Sequence, residues 1–300
     1  MRRTIFSVLA GTLALAMCLV PGQQSLADAV SVKPYIAFGA DLNKSQKATV
    51  MEQLGVTSEE LADYETVEVT NEEEHKYLDS YLDTSVIGTR ALSSVKIEEE
   101  DAGSGIVVET NNISFCTEEM YTNALVTAGI SDAHVTVAAP FEISGTAALV
   151  GAMKAYGIMT GEEIDADSAD AATNELVLTG ELGESIGMEK ASQLVALVKD
   201  MVVSEDLSSE EEISGAIDEA VEELGITLNE EQKAGLTSLM QKIGGLDLDL
   251  DTLQDQAQGI YDKLKDLDID LSGAQGILEQ IGAFFKKIFE AIAEFFQNLF

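Results

Sequence analysis

Two histidines, two cysteines and 54 acidic residues are the raw material for chemistry in this chain of 300 residues. A zinc site around His75 would need a second imidazole or thiolate at helical spacing, and positions 71, 72, 78 and 79 offer none. His75 follows Glu72-Glu73-Glu74 at the start of an expected helix, where acidic side chains suit the positive end of the helix dipole. His134 falls in an expected strand as an edge or satisfied polar residue. Nucleophilic hydrolysis requires a Ser or Cys with a base and an orienting acid. No nucleophile elbow is expected: Gly103-Ser104-Gly105 reads as a turn between strands and Ser144-Gly145-Thr146 as a turn into a helix, since glycine takes positive φ without strain. Cys116, in Ile113-Ser114-Phe115-Cys116, reads as a small buried hydrophobe, with an intermolecular disulfide or reactive thiol as the sharper alternative.

Calcium is the metal an acidic extracellular protein meets, so the aspartate runs bear on it. Asp247-x-Asp249-x-Asp251 begins like a calcium loop, but Thr252 stands at the glycine place and Gln258 at the closing glutamate. Asp165-x-Asp167-x-x-Asp170 fails in the same way, with Asp170 and Leu176 at those places. A weak divalent-cation response, and with it a weak calcium-binding surface protein, stays open; a dedicated metal site or other cofactor is not expected. Arg90 is one of few basic side chains before Gly161. It serves either as an internal partner for the many carboxylates or as an anion contact, and with Thr89, Ser93 and Ser94 it forms the candidate functional surface.

These residues must be positioned by a chain that carries an export signal. Arg2 and Arg3 precede an uncharged apolar run from Ile5 to Val20, then Pro21-Gly22 and the small-residue site Ser25-Leu26-Ala27. That run falls short of the roughly 20 residues a spanning helix needs. Residues 1–27 are expected to be a signal peptide cleaved after Ala27 or Ala29, and Met17 before Cys18 argues against lipidation. Without those residues 15 basic side chains face 54 acidic ones, a formal charge of −39. Such a surface repels phosphate backbones, so nucleic acid is excluded as a partner. One cysteine remains, and no intrachain disulfide can form.

The spacing predicts an α+β chain. In residues 28–162 strands are expected at Val32–Phe38, Glu65–Val69, Leu92–Ile97, Gly105–Thr110 and Ala133–Ala139, all rich in β-branched and aromatic residues. Helices are expected at Asn43–Leu54, Thr70–Leu82, Thr117–Ala128 and Gly145–Tyr156, with capping boxes at Thr70-x-x-Glu73 and Asn43-x-x-Gln46. Gly105–Ala139 then reads as strand, helix, strand, a βαβ-like unit in a small mixed sheet. Residues 163–271 form a helical region in which Ser208, Ser209, Asn229, Asp251 and Ser272 each stand three residues before a Glu or Gln.

Several strings in this frame are shared with known proteins. Glu74-His75-Lys76-Tyr77-Leu78, Ser85-Val86-Ile87-Gly88-Thr89-Arg90-Ala91-Leu92-Ser93-Ser94, Gly103-Ser104-Gly105-Ile106, Ala138-Ala139-Pro140-Phe141 and Ser144-Gly145-Thr146-Ala147-Ala148-Leu149 closely resemble the exported YpuA-like proteins of Gram-positive bacteria, a family catalogued as domain of unknown function 1002. The resemblance extends over nearly the whole chain beyond the leader. It implies an exported, envelope-associated protein, and it brings no catalytic residue, cofactor or substrate. Cys116 departs from the pattern, where an aromatic such as Trp is expected.

Residues 272–300 read as an amphipathic helix. Leu278, Ile281, Phe285, Ile288, Ile292, Phe295 and Leu299 step by three and four, and Ile277, Phe284, Phe289, Phe296 and Phe300 widen the stripe. Side chains worth about 1.5–3 kcal/mol each on burial need a cover: the chain's own helical region, a second copy, or a membrane surface. Lys286 and Lys287 against Glu279, Glu290 and Glu294 make a polar face unlike that of helices built for anionic lipid. The expectation is a non-enzymatic binding or structural module at the cell envelope, with self-association or peripheral membrane contact through this helix left open. The rival is a hydrolase acting on envelope material from the Thr89–Ser94 region. A cleft gathering Arg90 with Ser, Asp or Glu side chains would favour the enzyme, and a closed surface the binding module.

Overall fold

Alternating β-branched residues build the sheet, and capped helices cover it. The computed structural model describes residues 33–161, 163–250 and 252–253. Strand β1 (Tyr35–Gly39) leads through helix α1 (Lys44–Gln53) to β2 (Glu65–Val69), which pairs with β1 in parallel. Then come α2 (Asn71–Leu78), the single turn α3 (Thr84–Ile87), β3 (Ser94–Glu99), β4 (Ile106–Ile113), α4 (Glu118–Thr127) and β5 (Ala133–Ile143). The strand order is β2-β1-β3-β5-β4. The segment β4-α4-β5 is the expected βαβ unit, with β4 and β5 parallel, while β3 runs antiparallel to both β1 and β5. Two parallel crossover units are thus joined through one central antiparallel strand.

Helix α5 (Thr146–Thr160) lies on one face of the sheet, against β1 and β3. It comes close because Gly151 faces inward: a Cβ there would lie 3.0 Å from the Ala37 Cβ and 3.2 Å from Val69 and Val95. Helix α1 packs against β5, where Val50 and Leu54 meet Ile36, Phe38 and Ala138 in a separate small cluster. Mostly helices follow: α6 (Ala166–Ile186), α7 (Met188–Ser204), α8 (Glu210–Glu223) and α9 (Glu230–Ile243). They share a second core built from residues such as Leu194, Val198, Ile217, Leu236 and Leu239. The fold is therefore α+β, a mixed five-stranded sheet followed by helices.

The local expectations shift in explicable ways. Strand β1 starts at Tyr35 rather than Val32, after Pro34, which has no N–H to give a ladder. Strand β3 starts at Ser94 rather than Leu92, and the helix expected over Thr70–Leu82 ends at Leu78, with α3 as a separate turn capped by Asp83. Capping boxes form at Asn43, Thr70, Ser209 and Asn229. Of the two adjacent serines only Ser209 caps α8. Ahead of the last described helical turn Asp249 accepts from the Thr252 amide at 2.7 Å, and the expected Asp251 cap lies outside the described residues. The Ser272 box and the stripe from Leu278 to Leu299 lie outside the described residues.

One polar cluster ties the two cores together. Lys199 on α7 and Glu175 on α6 are both fully buried, with Nζ 2.9 Å from Oε1. The ammonium also donates to the Asn123 carbonyl at 2.9 Å and to the Thr127 hydroxyl at 3.2 Å on α4, while Thr127 donates to Glu175. All three ammonium protons have acceptors, which is what a buried charge requires. Burial pushes Glu175 up and Lys199 down from their ordinary ranges, and each partner's charge opposes the other's shift.

Candidate functional site

The residues around Arg90 are held by backbone geometry on three sides. Helix α2 begins with the Thr70–Glu73 box, which places Glu74 and Leu78 on its inward face. Gly88, at φ 83°, turns the chain after α3 and presents its carbonyl to His75 Nε2 at 3.1 Å. Asp41 holds the Ala91 amide at 2.8 Å, and Gly39 lies so close beneath that a Cβ would stand 2.4 Å from the Ala91 carbonyl oxygen. On the third side Gly145, at φ 95°, opens α5; a Cβ there would meet the Tyr121 hydroxyl at 2.5 Å, and that hydroxyl donates to the Gly145 carbonyl at 2.6 Å.

Between these walls lies a cleft of about 290 Å³ that gathers Arg90 and Thr89 with Glu74, Ser93, Ser144 and Thr146. Val86 and Phe141 line it with exposed apolar surface. Glu74 is 2% exposed; it accepts from the Thr146 hydroxyl at 2.5 Å and from the Asn71 amide at 3.3 Å. Burial raises its carboxyl above the usual range, and these two hydrogen bonds hold the rise back. Ser144 and Thr146 are hydroxyl neighbours at 3.3 Å. A larger groove of about 490 Å³ along α1, lined by Lys44, Lys47, Met51, Glu52 and Thr57 among others, is wide open.

Of the four candidate surface residues, the cleft brings together Thr89, Arg90 and Ser93, and Ser94 faces the other way. The strand alternation demands this: the Ser93 hydroxyl accepts from the Ala148 amide at 3.0 Å, and the Ser94 hydroxyl accepts from Gly39 at 3.1 Å. Arg90 is exposed and makes no ion pair among the described residues. The interaction stripe Leu278, Ile281, Phe285, Ile288, Ile292, Phe295 and Leu299 lies outside the described residues.

The remaining candidates resolve into structure. His75 Nδ1 meets Asp79 at 2.6 Å, an interaction that raises the imidazole's pKa. Cys116 is buried, and desolvation pushes its thiol up to about 12, so no thiolate forms near neutral pH. Among the described residues no group of three or more His, Cys, Asp or Glu side chains could hold a metal ion. Asp165 caps α6 by accepting from Asp167 and Ser168, and Asp170 pairs with Lys242 at 2.9 Å. One spacing contradicts the expectation of no elbow: Gly183-Glu184-Ser185-Ile186-Gly187 has the Gly-x-Ser-x-Gly form. It closes helix α6 instead of joining strand to helix, and Ser185 donates to the Leu182 carbonyl at 2.9 Å while accepting from Gln232 at 2.7 Å. The residue that the sequence concealed is Glu74, third in an acidic run that looks solvated; its one signal is the four-residue spacing to Leu78.

A family model described as a protein of unknown function (DUF1002) matches residues 38–260. The chain is also 40% identical, over 285 residues, to the uncharacterised protein YpuA of Bacillus subtilis (strain 168), an alignment covering 95% of this chain and 96% of that protein. No solved structure matches it.

Proposed function

We propose, for a chain that belongs to the DUF1002 family, an exported, acidic binding module of the cell envelope whose ligand sits in the Arg90–Glu74 cleft. One observation carries this: the only arginine beyond residue 3 in the sequence has no ion-pair partner among the described residues and stands at a cleft with a buried carboxyl inside it, in a protein of formal charge −37. A guanidinium so placed can serve an outside partner. Residues 1–27 supply the export signal.

A cleft that gathers Arg90 with Glu74, Ser93 and Ser144 is what the second reading, a hydrolase, calls for, and Glu74 is the group it would use. Binding is preferred on geometry. The hydroxyl bonded to Glu74 belongs to Thr146, and no histidine among the described residues lining the cleft stands beside it as a base. Glycoside cleavage needs two carboxyl groups, and among the described residues Glu74 is the only carboxylate lining the cleft. The test is an NMR titration of the isotope-labelled secreted chain with a soluble digest of bacterial cell wall, with mass spectra of the digest taken before and after. Shifts at residues 88–93 and 141–147 with an unchanged digest support binding. New cleavage products establish the hydrolase, and shifts confined elsewhere dismiss the cleft.

A further inference from the structure

The cleft carries two opposite charges that leave each other alone. Glu74 lies within it, 2% exposed, and Arg90 is exposed at its rim. Among the described residues no ion pair joins Arg90 to Glu74. Ile87 and Leu92 are buried in the wall, and Val86 and Phe141 stay 40% and 45% exposed at the same opening. An anion alone would find Arg90 but meet Glu74 behind it, and a cation alone would have to pass the guanidinium.

From this juxtaposition we infer that the cleft binds a small zwitterion, a free amino acid or a short peptide with free termini, its ammonium on Glu74 and its carboxylate on Arg90. The inference rests on the cleft-binding reading and gives it a ligand class. An ionised carboxyl offers about four lone-pair positions. Thr146 and Asn71 occupy two of the positions on Glu74, which leaves acceptor capacity for an ammonium. A guanidinium fork suits a carboxylate in two-pronged contact. The volume of about 290 Å³ sits at the small end of ligand cavities, enough for one or two residues with a short aliphatic side chain against Phe141. Burial disfavours the charged form of Glu74 in the free protein, and an arriving ammonium restores it.

The test is calorimetric titration of the full secreted chain at neutral pH with three probes: alanyl-alanine, its C-terminal amide, and its N-acetyl form. The free dipeptide is expected to bind at least about tenfold more tightly than either blocked form, the loss that accompanies one charge-assisted hydrogen bond. Arg90→Gln should bring its affinity down to that of the amide, and Glu74→Gln to that of the N-acetyl form. Circular dichroism reports whether the buried Glu74→Gln variant folds, and the exposed Arg90→Gln variant keeps the test decisive if it does not. Equal binding of the free and N-acetyl dipeptides overturns the zwitterion. So does silence with all three while a wall digest still shifts the cleft resonances, an outcome that leaves the cleft reading standing. Silence with both the dipeptides and the digest defeats the two together.

Discussion

Replacing Asp200 by Asn removes a carboxyl that is 6% exposed on helix α7, with no hydrogen-bond partner for Oδ1 among the described residues. Desolvation, then the like charge of Glu205, raises its pKa from 3.8 to about 6, against the opposing pull of Lys199. The folded protein therefore holds this proton more tightly than the unfolded chain does. Its contribution to stability is complete below pH 3.8 and is lost as pH rises through about 6. Two units at 1.36 kcal/mol each put the loss at about 3 kcal/mol by pH 7, an upper bound from which the unpaired amide of Asn takes back about 1 kcal/mol. Urea denaturation of both proteins at pH 4, 5, 6, 7 and 8 reads the difference. The variant should match the parent or fall slightly below it at pH 4 and exceed it by about 1–3 kcal/mol at pH 7 and 8. A variant weaker than its parent at pH 7, or a gap that does not move with pH, refutes the reasoning.

The buried pair predicts an asymmetry. Lys199→Met alone should cost about 3–5 kcal/mol in urea denaturation, whereas Lys199→Met with Glu175→Leu should recover most of that loss, because an uncompensated buried charge costs more than an apolar replacement. Gly39→Ala should destabilise by about 1–3 kcal/mol in thermal denaturation, since its Cβ would stand 2.4 Å from a backbone oxygen. For the apolar stripe from Leu278 to Leu299, liposome flotation of residues 28–300 beside a chain ending at Asp270 should leave both in solution, given the acidic polar face. Flotation of the longer chain alone would assign the stripe to a bilayer.

The strands and helix starts were legible because their signals are local. Thr66-Val67-Glu68-Val69 alternates, and Thr70, Asn229 and Ser209 form their boxes within four residues. Helix ends were less so: α2 stops at Leu78 although apolar spacing runs on to Leu82, because Asp83 restarts the chain as a separate turn. The site was half visible. Thr89, Arg90 and Ser93 stand out as polar residues in a distinctive string, but the opposite orientation of Ser94 depends on where β3 begins, which is set by the partners Gly39 and Ala148. Glu74 and Lys199 could not be placed inside from composition, since acidic and basic residues are normally solvated. Their burial depends on Thr146 and Glu175, which lie 72 and 24 residues away in sequence.

The most direct test of the cleft as the working site is calorimetric titration of a soluble cell-wall digest into residues 28–300 and into the Arg90→Gln variant under identical conditions. The account predicts a saturable heat for the parent, without the sustained heat of turnover, and at least about tenfold weaker binding for the variant. Equal binding by the two proteins, or continuous heat from the parent, would contradict it.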